Sequence, residues 1–336
     1  MNNTHTLLTL SLFQQAVRKE LWMKSAFTLI NSQLDSLTLP RLKDEHWKRI
    51  VYNYIISITN HPRELSHTYA GMIETTSFKT GISIPVVASI FARTHFDNDQ
   101  VPKVLPPMKV IDKDNNDTIV NIGILSQKIP TDAYLQYSTD NISFTKLMLR
   151  YSMFGTETGL FWSMPPAMIK KFDDPSRTIE CFASPFNFTA SNFCSAFFDD
   201  KELEYPHGYK CLGDFNAFMS GLSSGITVRF LYNPPYIRKV IDPSLKKIIS
   251  HIKANPESDI IAMLPNREYE SITQLIALPG TVSKVLDSNS FKIYSHSEQE
   301  SFTPFNLELL LIVRMGPDAN ISARHMRMIE ADYFRK

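Results

Sequence analysis

The sequence predicts an α/β fold: a Rossmann-like domain built on a mostly parallel sheet, preceded by a mainly helical domain. Three observations lead there. From about residue 146 onward, short apolar runs alternate with helical patterns, as expected for a parallel sheet covered on both faces. Before that point, apolar residues recur instead at helical spacing. The best-defined run, Thr227–Tyr232, stops abruptly at Asn233-Pro234-Pro235-Tyr236. The chain has 336 residues, 43% of them hydrophobic, which is enough for two cores, read here as 1–145 and 146–336.

In the first part, Leu12–Ile30 reads as a helix through Phe13, Ala16, Val17, Leu21, Ala26 and Ile30. Asp44–Thr59 places Trp47, Ile50, Val51, Tyr54, Ile55 and Ile58 on one helical face, with Asp44 as N-cap. Arg41, Lys43, Lys48 and Arg49 cluster at its start, either as a solvated face or as a phosphate-binding patch. Ile82–Phe91 is a further buried helix or strand, and Lys109–Ile111 with Thr118–Ile124 suggests a hairpin. The intervening Asp112–Asp117 imitates the start of a calcium loop. Asp117 holds the glycine position and Gly123 the final glutamate position, so it reads as a polar turn and no metal is expected.

In the second part, Phe144–Phe154 is helical, and FGTETGLFWSMP sets small residues, Gly159 among them, between aromatics. Four strands follow: Thr178–Phe182, Phe193–Phe197, Tyr209–Leu212 and Thr227–Tyr232. Between the first two lie the tight Ala183-Ser184-Pro185 turn and a helix candidate at Phe186–Asn192, which includes Asn187. Beyond them come a helix at Pro243–Lys253, a strand at Asp259–Leu264 and a helix at Tyr269–Leu278. Strands at Thr281–Leu286, Phe291–Tyr294 and Leu307–Met315 complete the set.

Acids mark the ends of the strands. Glu180 lies in the first, just before the Phe182-Ala183-Ser184-Pro185 turn, Asp199 or Asp200 follows the second, and Asp214 ends the third. One such acid is ordinarily a solvated loop residue. Three at successive strand ends suit a ligand with a ribose and an adenine amine to bind. The fourth strand ends in a turn whose prolines fix the backbone and donate no N–H. The Asn233 side-chain oxygen and the Pro234 carbonyl are then acceptors for the two hydrogens of an exocyclic amine, and Tyr236 offers a face on which a flat base stacks. This is the active-site turn of amino methyltransferases that use S-adenosylmethionine. The first turn lacks the GxGxxG pattern of nicotinamide-binding chains.

Composition excludes some alternatives. A formal net charge of +1 provides no global basic field, so nucleic-acid contact needs a local patch. Cys181, Cys194 and Cys211 have neither metal-ligand spacing nor even pairing and read as buried thiols of a reducing intracellular compartment. Leu7–Phe13 is too short for a membrane span and lacks the basic run of a signal peptide.

ECFASPFN (Glu180–Asn187), FCSAFFDD (Phe193–Asp200) and NPPY (Asn233–Tyr236) together resemble the phosphorylated-CTD-interacting factor family, as do RYSMFGTETGLFWSMP (Arg150–Pro165) and MLPNRE (Met263–Glu268). The resemblance implies a Rossmann-like S-adenosylmethionine-dependent methyltransferase acting on the 6-amino group of adenosine, at the first transcribed nucleotide beside the mRNA cap. It implies an N-terminal helical domain that helps bind capped RNA. It also implies a cofactor pocket drawn from Gly159, Glu180, Ala183, Ser184, Pro185, Asn187, Asp199 and Asp214, with Asn233, Pro234, Pro235 and Tyr236 catalytic. Two departures stand out. Trp22 and Trp47 sit in helical patterns, so no WW module and no WW-mediated binding of the polymerase tail is expected, and the usual Asn-Pro-Pro-Phe is Asn-Pro-Pro-Tyr. A DNA adenine methyltransferase, a protein glutamine methyltransferase and an inactive scaffold subunit are the competing readings.

Overall fold

The computed structural model describes residues 2–44, 46–48, 50–51, 70–95, 98–113, 117–131, 134–135, 141–151, 162–203, 205, 208–286, 293–295, 300–302 and 308–334. The chain forms two compact units, Met1–Glu157 and Thr158–Lys336. The boundary of 145/146 read from the sequence falls inside the helix Asn141–Tyr151 of the first unit.

The first unit begins with one long helix, Asn2–Ser36, which extends the expected segment at both ends. Phe13, Ala16, Val17, Ala26, Ile30 and Leu34 are its buried face. It stops where Thr38 turns to φ 54°. The Leu39 and Thr38 amides then return to the Leu34 and Asp35 carbonyls at 2.9 and 3.1 Å, a helix-ending pattern usually built on glycine. Trp22 meets Phe91 edge-on with ring centroids 5.4 Å apart, and Trp47 stacks on Phe27 at 6.0 Å. Trp47 lies in helical backbone beside buried Ile50 and Val51; Tyr54, Ile55 and Ile58 lie outside the described residues. Two shorter helices, Ala70–Thr80 and Ile84–Arg93, follow, the second burying Val87, Ile90 and Phe91.

The expected hairpin forms as β1 (Met108–Lys113) and β2 (Asp117–Ile122), and an unforeseen β3 (Leu125–Pro130) extends it to a three-stranded antiparallel sheet. The first unit is therefore not purely helical. The β2–β3 turn needs Gly123: its φ is 61°, and a Cβ there would sit 3.1 Å from Pro106 and 3.2 Å from the Phe13 ring. The basic cluster is partly neutralised within this unit. Arg41 makes a two-pronged bond to Asp35, at 2.8 and 2.7 Å, and Lys48 reaches Asp44 at 2.7 Å.

The second unit contains β4 (Trp162–Ser163), β5 (Thr178–Glu180), β6 (Asn192–Ser195), β7 (Lys210–Asp214), β8 (Arg229–Tyr232), β9 (Asp259–Pro265), β10 (Thr281–Leu286), β11 (Ile293–Ser295), β12 (Glu300–Phe302) and β13 (Leu309–Arg314). Seven of these form one sheet in the order β10-β13-β9-β8-β5-β6-β7; β12-β11-β4 form a small second sheet. In the large sheet β7, β6, β5, β8 and β9 run parallel, and β13 is antiparallel to both of its neighbours. The chain moves outward from β5 to β7, then returns to place β8 on the other side of β5. Open α/β sheets bind ligands at such a reversal, outside the carboxyl ends of the strands.

Both faces of this sheet are covered, and the side chains alternate between them. Phe230 and Tyr232 of β8, Ile260, Ala262 and Leu264 of β9, and Leu310 and Ile312 of β13 pack with Ile241, Leu245, Ile248, Ile249 and Ile252 of the helix Arg238–Ala254. Leu231, Ile261, Met263, Leu309, Leu311 and Val313 face the other way, toward Met168, Ile169 and Phe172 of the helix Pro166–Phe172 and Met326 and Ile329 of the helix Ala319–Ile329. Burial on both sides explains why these strands read as unbroken apolar runs.

Two helical expectations differ from the structure. The helix expected to start at Pro243 begins at Arg238 and carries the proline inside it. So near the helix start, a proline forfeits only the bond to the Lys239 carbonyl. Phe186–Asn192 forms no helix but a turn, then irregular, bent backbone into β6. The reason lies in who takes its amides, described next.

Candidate active site

Strand β5 delivers Glu180 to the reversal point, but the side chain turns inward. Glu180 is buried, and its Oε2 accepts from the Thr189 and Ala190 amides at 2.8 and 2.9 Å. Residues 184–191 are tied down in the same way. Asn187 Oδ1 accepts from the Ser184 amide at 2.6 Å and the Ser184 hydroxyl at 2.9 Å. Ser184 Oγ takes the Phe186 amide at 3.2 Å, and the Ser184 carbonyl takes the Asn187 and Phe188 amides, both at 3.1 Å. Asp173 Oδ2 accepts the Ser191 amide at 2.9 Å.

Every amide hydrogen from Ser184 to Ser191 is thus held within the unit. A helix over Phe186–Asn192 is excluded because its donors are committed to Ser184, Glu180 and Asp173. So is a phosphate cradle, which needs several amides aimed outward.

Burial pushes the Glu180 carboxyl up to about 7, a rise opposed by the two amide donors and aided by Asp173. The folded chain therefore holds this proton more tightly than the unfolded chain, whose value is near 4.5. Its contribution to stability is complete below that value and lost as pH rises through about 7. Urea unfolding between about pH 5 and about pH 8 should show stability falling with pH. Glu180→Gln, which keeps an acceptor and cannot ionise, should flatten that slope; an unchanged slope would put the carboxyl in its ordinary range.

The other acids divide. Asp214 ends β7 and caps the helix Phe215–Gly221, its Oδ1 accepting the Asn216 and Ala217 amides, both at 3.0 Å. A carboxylate used this way keeps a second oxygen for another donor. Asp199 lies in the single turn Phe198–Glu202 after β6, and its side chain is outside the described residues. Asp200 beside it is fully buried, its carbonyl accepting from the Tyr205 hydroxyl at 2.9 Å. Gly159 falls outside the described residues. Ala183 continues the sheet edge, its amide on the Cys194 carbonyl at 3.0 Å, and Pro185 is buried in the turn.

Asn233-Pro234-Pro235-Tyr236 leaves β8 immediately across from this loop; the Cys181 amide still bonds the Leu231 carbonyl at 2.9 Å. Pro234 is buried, and among the described residues its carbonyl takes no hydrogen bond. The Pro235 carbonyl is used, accepting from the Ile237 amide at 2.7 Å. Asn233 is half-buried, and its Oδ1 accepts from the Tyr236 hydroxyl at 3.1 Å. The Tyr236 ring packs against the core face that holds Leu231 and Met263, and burial pushes its phenol well above the usual range. The turn therefore presents a side-chain and a backbone acceptor beside an aromatic ring, at the carboxyl ends of the paired strands β5 and β8.

Residues 134–289 match the family model described as Phosphorylated CTD interacting factor 1 WW domain. Over these residues, a little under half of the chain, the sequence is similar to the phosphorylated CTD interacting factor family. The matched segment runs from before the helix Asn141–Tyr151 through β10, and so holds the loop after β5 and the Asn233–Tyr236 turn. No curated protein matches the chain. The three cysteines are free and buried, and burial holds Cys181 and Cys194 far from thiolate formation. Among the described residues no group of acidic, histidine and cysteine side chains has the arrangement of a metal site, and no helix is long and apolar enough to cross a membrane.

Two residues with a part in the site were missed as such in the sequence. Asp173 holds the end of the loop after β5, and Phe182 lines its start, stacked on Phe215 at 5.1 Å and edge-on to Tyr232 at 5.5 Å. Phe182 lies within the ECFASP segment, so its position was available as a signal; Asp173 carried none.

Proposed function

We propose that this chain is an S-adenosylmethionine-dependent methyltransferase acting on the 6-amino group of adenosine, with the cap-adjacent first adenosine of mRNA as its substrate. The observation that carries the reading is the pair of acceptors, Asn233 Oδ1 and the Pro234 carbonyl, set beside Tyr236 at the reversal of the sheet. The family-model match over residues 134–289 supports it, and the loop after β5 supports the choice of cofactor. With its amides committed internally, that loop suits a ligand without phosphate, as S-adenosylmethionine is, and not a dinucleotide.

When bound, S-adenosylmethionine supplies a methyl group already activated on a sulfonium. The work left to the chain is positioning. Asp214 and Asp199 are the acids for the adenosine half, and Phe182 is an apolar wall. Glu180, Ser184 and Asn187 act through the shape of the loop that they hold. Asn233 and Pro234 accept the two amine hydrogens, which turns the nitrogen lone pair away from the ring system and toward the cleft. Tyr236 stacks the base. The amine's proton leaves to water after transfer. The first unit, Met1–Glu157, is the candidate for holding capped RNA.

The test is nucleoside mass spectrometry after incubation with isotopically labelled S-adenosylmethionine and capped RNA, uncapped RNA or duplex DNA. Label in N6-methyladenosine from capped RNA alone is expected. Label from duplex DNA would favour base flipping instead, and no label in any adenosine substrate would overturn the reading.

A further inference from the structure

The site uses a tyrosine where stacking needs only a ring. Its hydroxyl does something a phenylalanine could not: it donates to Asn233 Oδ1 at 3.1 Å. An amide side chain has an acceptor end and a donor end of nearly the same shape, and only its partners decide which end faces a ligand. The Tyr236 hydroxyl sits where burial strongly disfavours loss of its proton, so that proton needs an acceptor. If the Asn233 amide turned over, Nδ2 would donate to the hydroxyl oxygen and the half-buried O–H proton would lose this acceptor. Tyr236 therefore selects one of the two amide orientations. An amide oxygen has two lone pairs, and one remains for a second donor.

Resting on the methyltransferase reading above, we propose that the Tyr236 hydroxyl is the positioning group for Asn233 and sets the site's selectivity for a substrate amine over a carbonyl. The ring and the hydroxyl then have separate tasks. The ring holds any purine face. The hydroxyl keeps Asn233 as an acceptor, which welcomes the 6-amino group of adenine and repels the 6-oxo group of hypoxanthine. Without the hydroxyl, the amide is free to turn and present Nδ2, a donor that suits the 6-oxo group.

The experiment compares wild type, Tyr236→Phe and Asn233→Ala, with circular dichroism and melting confirming that each is folded. Binding is measured with S-adenosylhomocysteine present, on capped RNAs that start with adenosine or with inosine, alongside single-turnover transfer to the adenosine RNA. Wild type should prefer the adenosine RNA. Tyr236→Phe should narrow that preference by about fivefold or more, chiefly by gaining affinity for the inosine RNA, and should lower turnover about tenfold with little change in adenosine RNA affinity. Asn233→Ala should show little preference between the two. A Tyr236→Phe enzyme that keeps the wild-type preference overturns the proposal, whatever its rate, because the amide would then be oriented by something else. An active wild type with that outcome leaves the methyltransferase reading standing; a wild type that methylates no adenosine removes both.

Discussion

Asn233→Ala should lower single-turnover methylation of an adenosine-initiated capped RNA by roughly 10²–10³, about 3–4 kcal/mol of transition-state stabilisation. The amine gains positive charge as it takes the methyl group, so its bond to Oδ1 strengthens on the way to the transition state and the loss falls on the rate. Affinity for S-adenosylhomocysteine should change little. The loop after β5 is held by Glu180, Ser184, Asn187 and Asp173, and none of those bonds involves Asn233. Calorimetry with S-adenosylhomocysteine and a single-turnover assay together separate the two effects. A near-normal rate would reduce Asn233-Pro234-Pro235-Tyr236 to a turn. Tyr236→Ala, by contrast, should weaken RNA binding and turnover together, because it removes the stacking face as well as the partner of Asn233.

The sheet was legible in the sequence because its strands are buried on both faces. Runs such as Asp259–Pro265 and Leu309–Arg314 have no polar interruption, and each expected strand of the large sheet lies within a few residues of its place. The order of the strand ends was legible too, since β5, β6 and β7 follow one another across the sheet. What failed to show was set by distant partners. Local propensity favours a helix after Pro185, and only the folded sheet brings Glu180 to the Thr189 and Ala190 amides. Glu180 itself read as part of the cofactor pocket because sequence reveals that an acid lies near a strand end, not which way the acid turns. The helix Pro166–Phe172, with seven residues, is too short for periodicity to register. The strand β3 was hidden because Leu125–Pro130 has only Leu125 and Ile129 as large apolar residues, with the polar Gln127 buried between them. At Asn233–Tyr236, local chemistry and tertiary position agree, because two prolines fix that turn without outside help.

The largest expected loss of stability lies at the opposite edge of the sheet. Asp259 opens β9 in register with Arg229 at the start of β8. Its Oδ2 accepts from Arg229 Nε at 3.0 Å and lies 2.9 Å from Arg229 Nη2; Arg177 Nη2 donates to it at 2.7 Å, and Oδ1 takes the Gly316 amide at 3.0 Å. Arg229 also donates to the Phe172 carbonyl at 2.9 Å. The Asp259 side chain is 5% exposed and that of Arg229 14%, so water replaces little of what is removed. Asp259→Ala leaves a largely buried guanidinium without its counter-charge and should destabilise the fold by about 3–5 kcal/mol in urea unfolding. Replacing both partners, Asp259→Ala with Arg229→Met, should recover much of that loss, since an apolar pair no longer needs a buried charge solvated. Non-recovery would mean that the Gly316 and Phe172 contacts, not the charge pair, carry the edge. Because these residues sit at the amino ends of β8 and β9, the folded fraction of either variant should methylate at the wild-type rate, whereas Asn233→Ala should fold normally and react roughly 10²–10³ more slowly.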